Sequence, residues 1–543
     1  MHKKDKNNIP KVIGSILIVS VLLSVFIGAR AQKQVPNQRI PQNIKIIEFR
    51  RADEMLKRAN SEAIVLKNNV VLYHDGALMQ CDSAYWFEKS NSFQAFSNVM
   101  INQGDTLFVS GDYMSYDGMM KLAKVRYNVR MKDKKSTLFT DSLDFDRVQN
   151  LGYYFDGGML VDEENELTSY WGEYNTITKD ALFRDSVKLV NADYNIYSDQ
   201  LKYNTATKIA DLMGPSTIVS DSGTIHTSQG WYNTVTEDSQ LTQNSEVISS
   251  DGTKTLTGNI IDYNRKTGIG KIQGNMKLHD KLRKVMLFGN YGYYEDQPGY
   301  AIATDAAYVI DYSQKDSLFL RGDTLEMTTD SIYRELKAIG KVRYFRNDIQ
   351  GVSETMHYVS RDSVLYMKGN PVIWNKNQQV MGDQMDVFMK DSVIHKALIK
   401  NYAFAIQQRE EASQYNQLKG KNMTIDFDKG DIRFITVEGG VESIYYMVDK
   451  DKKLIGLNFA QGPVLKISML NEEIEIIKLI GDSKATLTPM FQIQEKDKTL
   501  SGFQWLDNIR PKNKNDIFRT NSLNELKEIA PSKRFVRDED ALR

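Results

Sequence analysis

At 543 residues the chain is long enough for several globular domains, and its 41% apolar content argues against disorder. Lysine plus arginine equal aspartate plus glutamate at 70 each, so no basic excess points to nucleic acid. The single cysteine, Cys81, excludes an intrachain disulfide; without activating neighbours it reads as a small strand residue, not a nucleophile.

Four lysines in residues 1–11 precede an uncharged, largely apolar run from Val12 to Gly28. Ala29-Arg30-Ala31 fits the small-x-small pattern of a cleavage site, which predicts a signal peptide over 1–31. The run is at the short edge for a membrane span, so an uncleaved inner-membrane anchor through 12–28 is the alternative. Both readings place the rest of the chain outside the cytoplasm. Residues 32–60 form a polar lead-in.

From Ala63 two signals alternate. In one, a polar residue is followed four positions later by an aromatic: Asp82 with Trp86, Asp112 with Tyr116, Asp141 with Phe145, Asp199 with Tyr203, Asn259 with Tyr263. In the other, a Gly/Asn turn leads into an apolar strand, as at Ser97-Asn-Val99, Tyr127-Asn-Val129, Gln273-Gly-Asn-Met276 and Ile339-Gly-Lys-Val342. Two turn signals per repeat predict at least two strands per repeat.

The repeat is plainest in Tyr174-Asn-Thr-Ile-Thr-Lys179, Tyr203-Asn-Thr-Ala-Thr-Lys208 and Tyr232-Asn-Thr-Val-Thr-Glu237, with a looser copy at Tyr263-Asn-Arg-Lys-Thr-Gly268. Their starts lie 29, 29 and 31 residues apart. A fixed period of this size signals stacked supersecondary units. In each copy an aromatic ends a strand, Asn opens a polar turn that its side chain can cap, and small and apolar residues begin the return strand. The prediction is an all-β, elongated ribbon of stacked antiparallel hairpins with a repeat of about thirty residues.

The first unit spans 61–300. The period falters between Tyr294 and Asp323, where Glu295-Asp-Gln-Pro-Gly299 reads as a loop, and resumes at Glu354–Tyr358 and Asp383–Phe388. A second unit, 301–510, is expected to continue the first. Within it, Asn401 to Gln417 contains Gln407-Gln-Arg-Glu-Glu-Ala-Ser-Gln414, which reads as a short helix or a long polar loop. Strand patterns return at Met423–Phe427, Val441–Tyr446 and Ile474–Ile480, and 511–543 is expected to be a mobile tail.

Motifs for catalysis are lacking: there is no HExxH, paired CxxC, G-x-S-x-G or Walker phosphate loop. Gly268-Ile-Gly270-Lys-Ile-Gln-Gly274 lacks nucleotide-loop spacing and reads as a hairpin turn. The six histidines, His2, His74, His226, His279, His357 and His395, stand at no ligand spacing, so neither a metal nor a cofactor is expected. With strands roughly 4.8 Å apart, about thirteen repeats extend on the order of 60 Å at one rung each, and twice that at a hairpin each. If such a sheet curls, its apolar face lines either a filled core or an open trough, and a trough can keep acyl chains from water at about 0.8 kcal/mol per CH₂.

Further stretches carry a family resemblance: Asp82-Ser-Ala-Tyr-Trp86, Gly104-Asp-Thr-Leu-Phe-Val-Ser-Gly-Asp112, Tyr415-Asn-Gln-Leu-Lys-Gly-Lys-Asn-Met-Thr424, Val437-Glu-Gly-Gly-Val-Glu-Ser-Ile-Tyr-Tyr446 and Gly502-Phe-Gln-Trp-Leu-Asp-Asn-Ile-Arg-Pro511. Through them the chain resembles the OstA-like, or LptA-like, family of periplasmic lipopolysaccharide-transport proteins, in the form typical of Bacteroidetes-type bacteria, over roughly 60–520. The resemblance implies an open, twisted β-jellyroll (a β-taco) with no catalytic residues. It also implies that lipid A of lipopolysaccharide is sheltered in an apolar groove between inner and outer membrane. Partners would be inner- and outer-membrane transport proteins with similar β-jellyroll domains, or further copies joined end to end.

For any one of the recurring aromatics Trp86, Tyr116, Phe145, Tyr174, Tyr203, Tyr232 and Tyr263, packing inside the sheet is the first reading. As a group, together with Leu189 and Leu201, they are the lipid-groove candidates. The competing functions are a filled-core β-solenoid scaffold or surface protein and a polysaccharide-acting β-helix enzyme.

Overall fold

The computed structural model describes residues 45–519, apart from 105–106, 331, 391–392, 411–412, 430, 452 and 471–472. The leader over 1–31, the lead-in before 45 and the tail after 519 lie outside the described residues. Within the rest of the lead-in, Glu48–Arg51 and Glu54–Lys57 already pair with the strand Ile64–His74, and the start of the expected tail, 511–519, packs on the sheet with Ile517 buried. Among the described residues forty strands form one sheet and there is no α-helix. The chain is thus an elongated all-β jellyroll, as the repeat predicts.

The sheet grows as a meander. Strands Ile64–His74, Ala77–Phe87, Ser92–Gln103, Leu107–Asp117, Leu122–Asp133 and Ser136–Asp146 each pair antiparallel with the next. Apolar residues alternate along them, so one face buries Leu66, Met79, Ala95, Val109 and Met131. One apolar face on a flat sheet would lie open to water. The strands avoid this by bending in the middle.

In every second of these strands the bend is made by two consecutive residues in left-handed backbone: Asn68 and Asn69 (φ 58° and 53°), Ser97 and Asn98 (62° and 50°), Tyr127 and Asn128 (65° and 52°). Asn tolerates this region because its short amide hydrogen-bonds locally. The ladder skips there, between Lys67 and Val70 or Phe96 and Val99, and then resumes on the same neighbour. The Gly/Asn signals predicted as turns at Ser97-Asn98, Tyr127-Asn128, Gly274-Asn275 and Gly340-Lys341 are therefore corners inside strands. A left-handed pair deflects the backbone without reversing it, and composition alone does not separate the two cases. The polar anchors brace these corners: Asn98 Nδ2 donates to Asp82 Oδ2 at 2.7 Å, and Asn128 Nδ2 to Asp112 Oδ2 at 2.6 Å.

Aligned corners crease the sheet into two facing walls. One wall ends in the repeated Tyr-Asn-Thr turns, which close as their composition predicts. Asn204 Oδ1 accepts from the backbone N–H of Ala206 at 3.0 Å and Thr207 at 2.9 Å, and Asn175 and Asn233 do the same in their own turns. Each turn also rests on the one before: Thr205 N–H donates to Lys179 O at 3.0 Å, and Thr234 N–H to Lys208 O at 2.8 Å. The opposite wall ends in turns at 75–76, 134–135 and 162–165.

Inside the turn-bearing wall, next to its rim, cross-strand register lines up Tyr116, Ala123, Phe145, Gly152, Tyr174, Ala181, Tyr203, Ala210, Tyr232, Ser239 and Tyr263 in one row. Large and small alternate so that rings can fill the width between walls. A Cβ added at Gly152 would come within 3.1 Å of Leu143.

Pairing runs unbroken across residue 300, where Tyr300–Thr304 joins Val285–Glu295 to Thr324–Thr329. One apolar cluster extends from Ile47 to Leu465. Within Asn401 to Gln417, a further corner pair at Asn401 and Tyr402 (φ 52° and 56°) separates the halves of strand Val393–Gln408, and Tyr415 begins the next strand. Of the stretch Gln407–Gln414, the described residues after Gln408 lie in the connection between these two strands, in line with the loop alternative.

Residues 490–519 form a strap across the outer face of the opposite wall. Leu500 and Ile509 bury against Val372, Trp374, Phe404 and Tyr446. Two buried glutamines pair with strap backbone as a neighbouring strand would. Gln379 Nε2 donates to Gln504 O while its Oε1 accepts from Leu506 N–H, both at 2.8 Å, and Gln417 treats Lys498 and Leu500 alike at 2.7 and 2.8 Å. The end of the strap is held by Arg343, which donates to Ile509 O and Asp516 O, and Ile517 is buried.

The alternating row gives a test. Replacing Ala210, fully buried between Tyr203 and Tyr232, by leucine should overpack the interior and cost about 1–3 kcal/mol. Hydrogen exchange of the adjoining strands should report it as faster opening, while Ala206→Leu on the exposed turn should leave exchange unchanged.

Candidate functional site

Where the two walls meet at their rims, the structure builds a seam of repeated polar contacts. Asp133, Asp162 and Asp75 lie at the opposite rim; Lys179, Lys208 and Lys121, each 46 residues later, lie at the turn-bearing rim. Lys208 Nζ donates to Asp162 Oδ2 at 2.8 Å, and Lys179–Asp133 and Lys121–Asp75 pair in the same way. The tyrosine row contributes its hydroxyls from within. Tyr203 Oη donates to Asp162 Oδ2 at 2.8 Å and Tyr174 Oη to Asp133 Oδ2 at 2.9 Å, each across 41 residues. At Tyr116 the roles shift: Arg147 Nη1 donates to the hydroxyl at 2.8 Å, and His74 Nδ1 lies 2.7 Å from it.

Further on the seam changes character. Glu237 and Arg265 pair at 2.7 Å along one rim, and Lys254 and Asp296 pair across the rims at 2.9 Å with the charges exchanged. Arg334 and Asp311 approach only to 3.9 Å.

Burial and hydrogen bonding oppose each other in these groups. Burial alone would raise the Asp162 carboxyl, but the Lys208 ammonium, the N–H groups of Glu164 and Asn165, and the Tyr203 hydroxyl together hold it below its ordinary 3.8. Hydrogen bonds from Lys121 and Lys45 depress Asp75 strongly. Burial, reinforced by the neighbouring Asp162 charge, raises the Tyr203 phenol, and burial lowers His74.

The nine candidate residues all face the interior. Tyr116, Phe145, Tyr174, Tyr203, Tyr232 and Tyr263 form the row described above, and Leu189 and Leu201 lie deeper beside Ile196 and Phe183. Trp86, at the end of the row, is partly exposed and stacks on Phe49 at 6.2 Å between ring centroids. The other eight are buried, from 0% exposure at Tyr203 to 9% at Tyr263. Sequence reasoning found the aromatics through their period and missed their ionic partners. The signal was present, since Asp133 and Asp162 are offset by the same 29 residues as Lys179 and Lys208.

The interior differs between its two halves. Apart from Phe49, Ala52 and Trp86 at the start, the partly exposed residues packed on the apolar cluster begin at Leu318. On one wall Leu336, Leu365, Ala397, Ile435 and Ile467 share the inward face; Ile373, Val380 and Ala405 share it on the other. From Leu318 onward, inward apolar side chains are therefore partly exposed beside buried ones such as Tyr344, Met367 and Val437. Among the described residues no group of acidic, histidine or cysteine side chains could hold a metal ion. No described helix is long and apolar enough to cross a membrane.

Comparison with known proteins identifies two segments. The family described as OstA-like protein matches residues 44–199, and the family described as LptA/(LptD N-terminal domain) LPS transport protein matches residues 312–393. Among solved structures, LptH of Pseudomonas aeruginosa, the LptA-homologous periplasmic component of its lipopolysaccharide transport device, is 13% identical. The match covers 20% of this chain and 80% of LptH at a TM-score of 0.18, too low to carry an argument. No curated protein matches.

The seam pairs predict an acid response. Because the folded Asp162 pKa lies below 3.8, its contribution is complete above about that value and is lost as pH falls through the folded value. Asp162→Asn should keep the Glu164 and Asn165 contacts but leave Lys208 uncompensated, costing about 3 kcal/mol at neutral pH, since Lys208 is only partly exposed. Local hydrogen exchange measured against pH should show the two proteins converge under strong acid; equal stability at pH 7 would contradict the assignment.

Proposed function

We propose, from the premise that the chain is an OstA/LptA-like protein of the lipopolysaccharide-transport type, that it is a non-enzymatic periplasmic bridge sheltering lipid A acyl chains between inner and outer membrane. The families matched are of transport proteins, not enzymes. The observation that carries the lipid reading is the change in the interior at Leu318, where a continuous apolar face passes from sealed to partly exposed. Acyl chains placed between Leu336, Leu365 and Ile435 on one wall and Ile373, Val380 and Ala405 on the other would complete the burial left unfinished there. Each CH₂ withdrawn from water contributes about 0.8 kcal/mol. The candidate row from Tyr116 to Tyr263 takes part only where its seam parts.

Docking to membrane partners is supported by the last long edge of the sheet. Strand Glu473–Ile480 pairs on one side with Leu454–Leu470, and Ile474, Ile476, Ile477 and Ile480 are exposed. An edge of this kind invites a further strand from a similar jellyroll or a second copy. Export through the segment 12–28, cleaved or retained as an anchor, completes this reading.

The sealed interior from Phe93 to Val309 favours a second reading, a scaffold rod with a filled core. Photocrosslinking amino acids separate the two. Placed at Leu365, Ala397 and Ile435, they should capture lipopolysaccharide in cells several-fold more than at outward Lys466. Equal capture at both, or none, would favour the rod.

A further inference from the structure

The seam is sealed by charge, although the interior behind it is apolar. Asp162 is 1% exposed and Asp133 is 6% exposed, each holding a lysine and a tyrosine hydroxyl. A buried ion pair stabilises a fold little more than apolar packing of the same volume, and often less. For a permanently closed rod, leucines at these positions would seal as well. Ionic rims differ in what happens on opening: ammonium and carboxylate both return to water, whereas an apolar seal would expose grease.

The groups that pair across the seam are also sorted by rim. From residue 75 to 208 the cations Lys121, Arg147, Lys179 and Lys208 stand on the turn-bearing rim, and Asp75, Asp133 and Asp162 on the opposite one, where Lys135 pairs with Glu163 along the same rim. Once parted, the seam leaves its inward cations on one lip and its inward carboxylates on the other. Directly inside the basic lip lie the Tyr174 and Tyr203 hydroxyls, hydrogen-bond donors released from the same carboxylates. Behind them Phe145, Phe183, Leu189 and Leu201 offer an apolar depth.

We propose that the seam between residues 75 and 208 is a latch that parts to admit a phosphorylated, multiply acylated lipid, whose phosphate replaces Asp133 and Asp162 on Lys179, Lys208 and the two tyrosine hydroxyls. A phosphate monoester carries more charge than one carboxylate and accepts several donors at once, so the exchange leaves the basic lip satisfied. The released carboxylates Asp133 and Asp162 face water and repel the headgroup, which fixes its side. This inference rests on the lipid-carrier reading and adds to it the lateral entry and the headgroup site.

Spin labels on exposed rim positions test it in the full-length mature chain. Glu163→Cys and Ala206→Cys stand on facing rims, outside the latch contacts, and Cys81 is buried with its thiol pushed up to about 11, so it stays unlabelled. Adding bisphosphorylated lipid A should lengthen the distance between labels; dephosphorylated lipid A or inorganic phosphate should not. In Lys179→Gln/Lys208→Gln the preference for phosphorylated over dephosphorylated lipid should fall to parity, and Lys179→Arg/Lys208→Arg should restore it. If lipid A co-elutes with the protein while the distance stays fixed, the latch is overturned and the carrier reading stands. Opening by dephosphorylated lipid overturns the headgroup site, and opening by free phosphate overturns the lipid as its ligand. If no lipid co-elutes, carrier and latch fall together.

Discussion

A sheet with one apolar face has to hide that face, and this chain does so by bending its long strands at paired left-handed residues. Everything else follows from keeping those corners in line. Because side chains alternate with period two, facing strands take different counts through a corner to keep one face inward, and the neighbour of Ile64–His74 passes from buried Cys81 to buried Ala84. The two-residue skip preserves the apolar side through the bend, as the passage from Leu66 to Val70 does in the strand Ile64–His74. The Asn-to-Asp braces sixteen residues apart tie each corner to its neighbour, so the crease propagates from strand to strand without a central core.

Folding along a crease leaves a mouth opposite it, and the chain treats that mouth in two ways. Over the first part, aromatic rings alternating with alanine, glycine or serine span the gap, and Tyr174 and Tyr203 hand their hydroxyls to acids on the other rim. Over the second part the inward face is mostly aliphatic and methionine, with Tyr344 the buried ring, and a separate aromatic cluster, Trp374, Phe404, Tyr415 and Tyr446 with Phe503 and Trp505 of the strap, packs on the outside. Bracing the opposite wall from its outer face frees its inner face from the need to pack. That division gives the lipid reading a location and keeps the sealed half as a stem or a latched extension of the same channel.

Much of this was legible in the sequence, and what was hidden was hidden for physical reasons. Tyr-Asn-Thr-x-Thr-Lys announced the period, the aromatic row and a turn capped by its own asparagine, because all three depend on neighbours a few residues apart. Corners were mistaken for turns because left-handed backbone selects Gly and Asn in both. The Lys208–Asp162 contact spans 46 residues and the Gln379–Gln504 contact 125, and pairings of that range arise only once the sheet has folded on itself. The change in exposure along the interior was equally out of reach: Tyr203 and Leu365 both alternate inward along their strands, yet one is buried and the other partly exposed.

The difference between the two halves is the central claim, and thiol accessibility in the ligand-free protein measures it directly. Cysteines placed singly at Ala181 and Ala210 in the latched stretch, and at Ala397 and Ala405 in the open one, sit on the same inward face with the same small volume. Maleimide should modify the second pair rapidly and the first pair as slowly as native Cys81. Equal rates at all four positions would mean one uniform interior, and the groove would have no place in this chain.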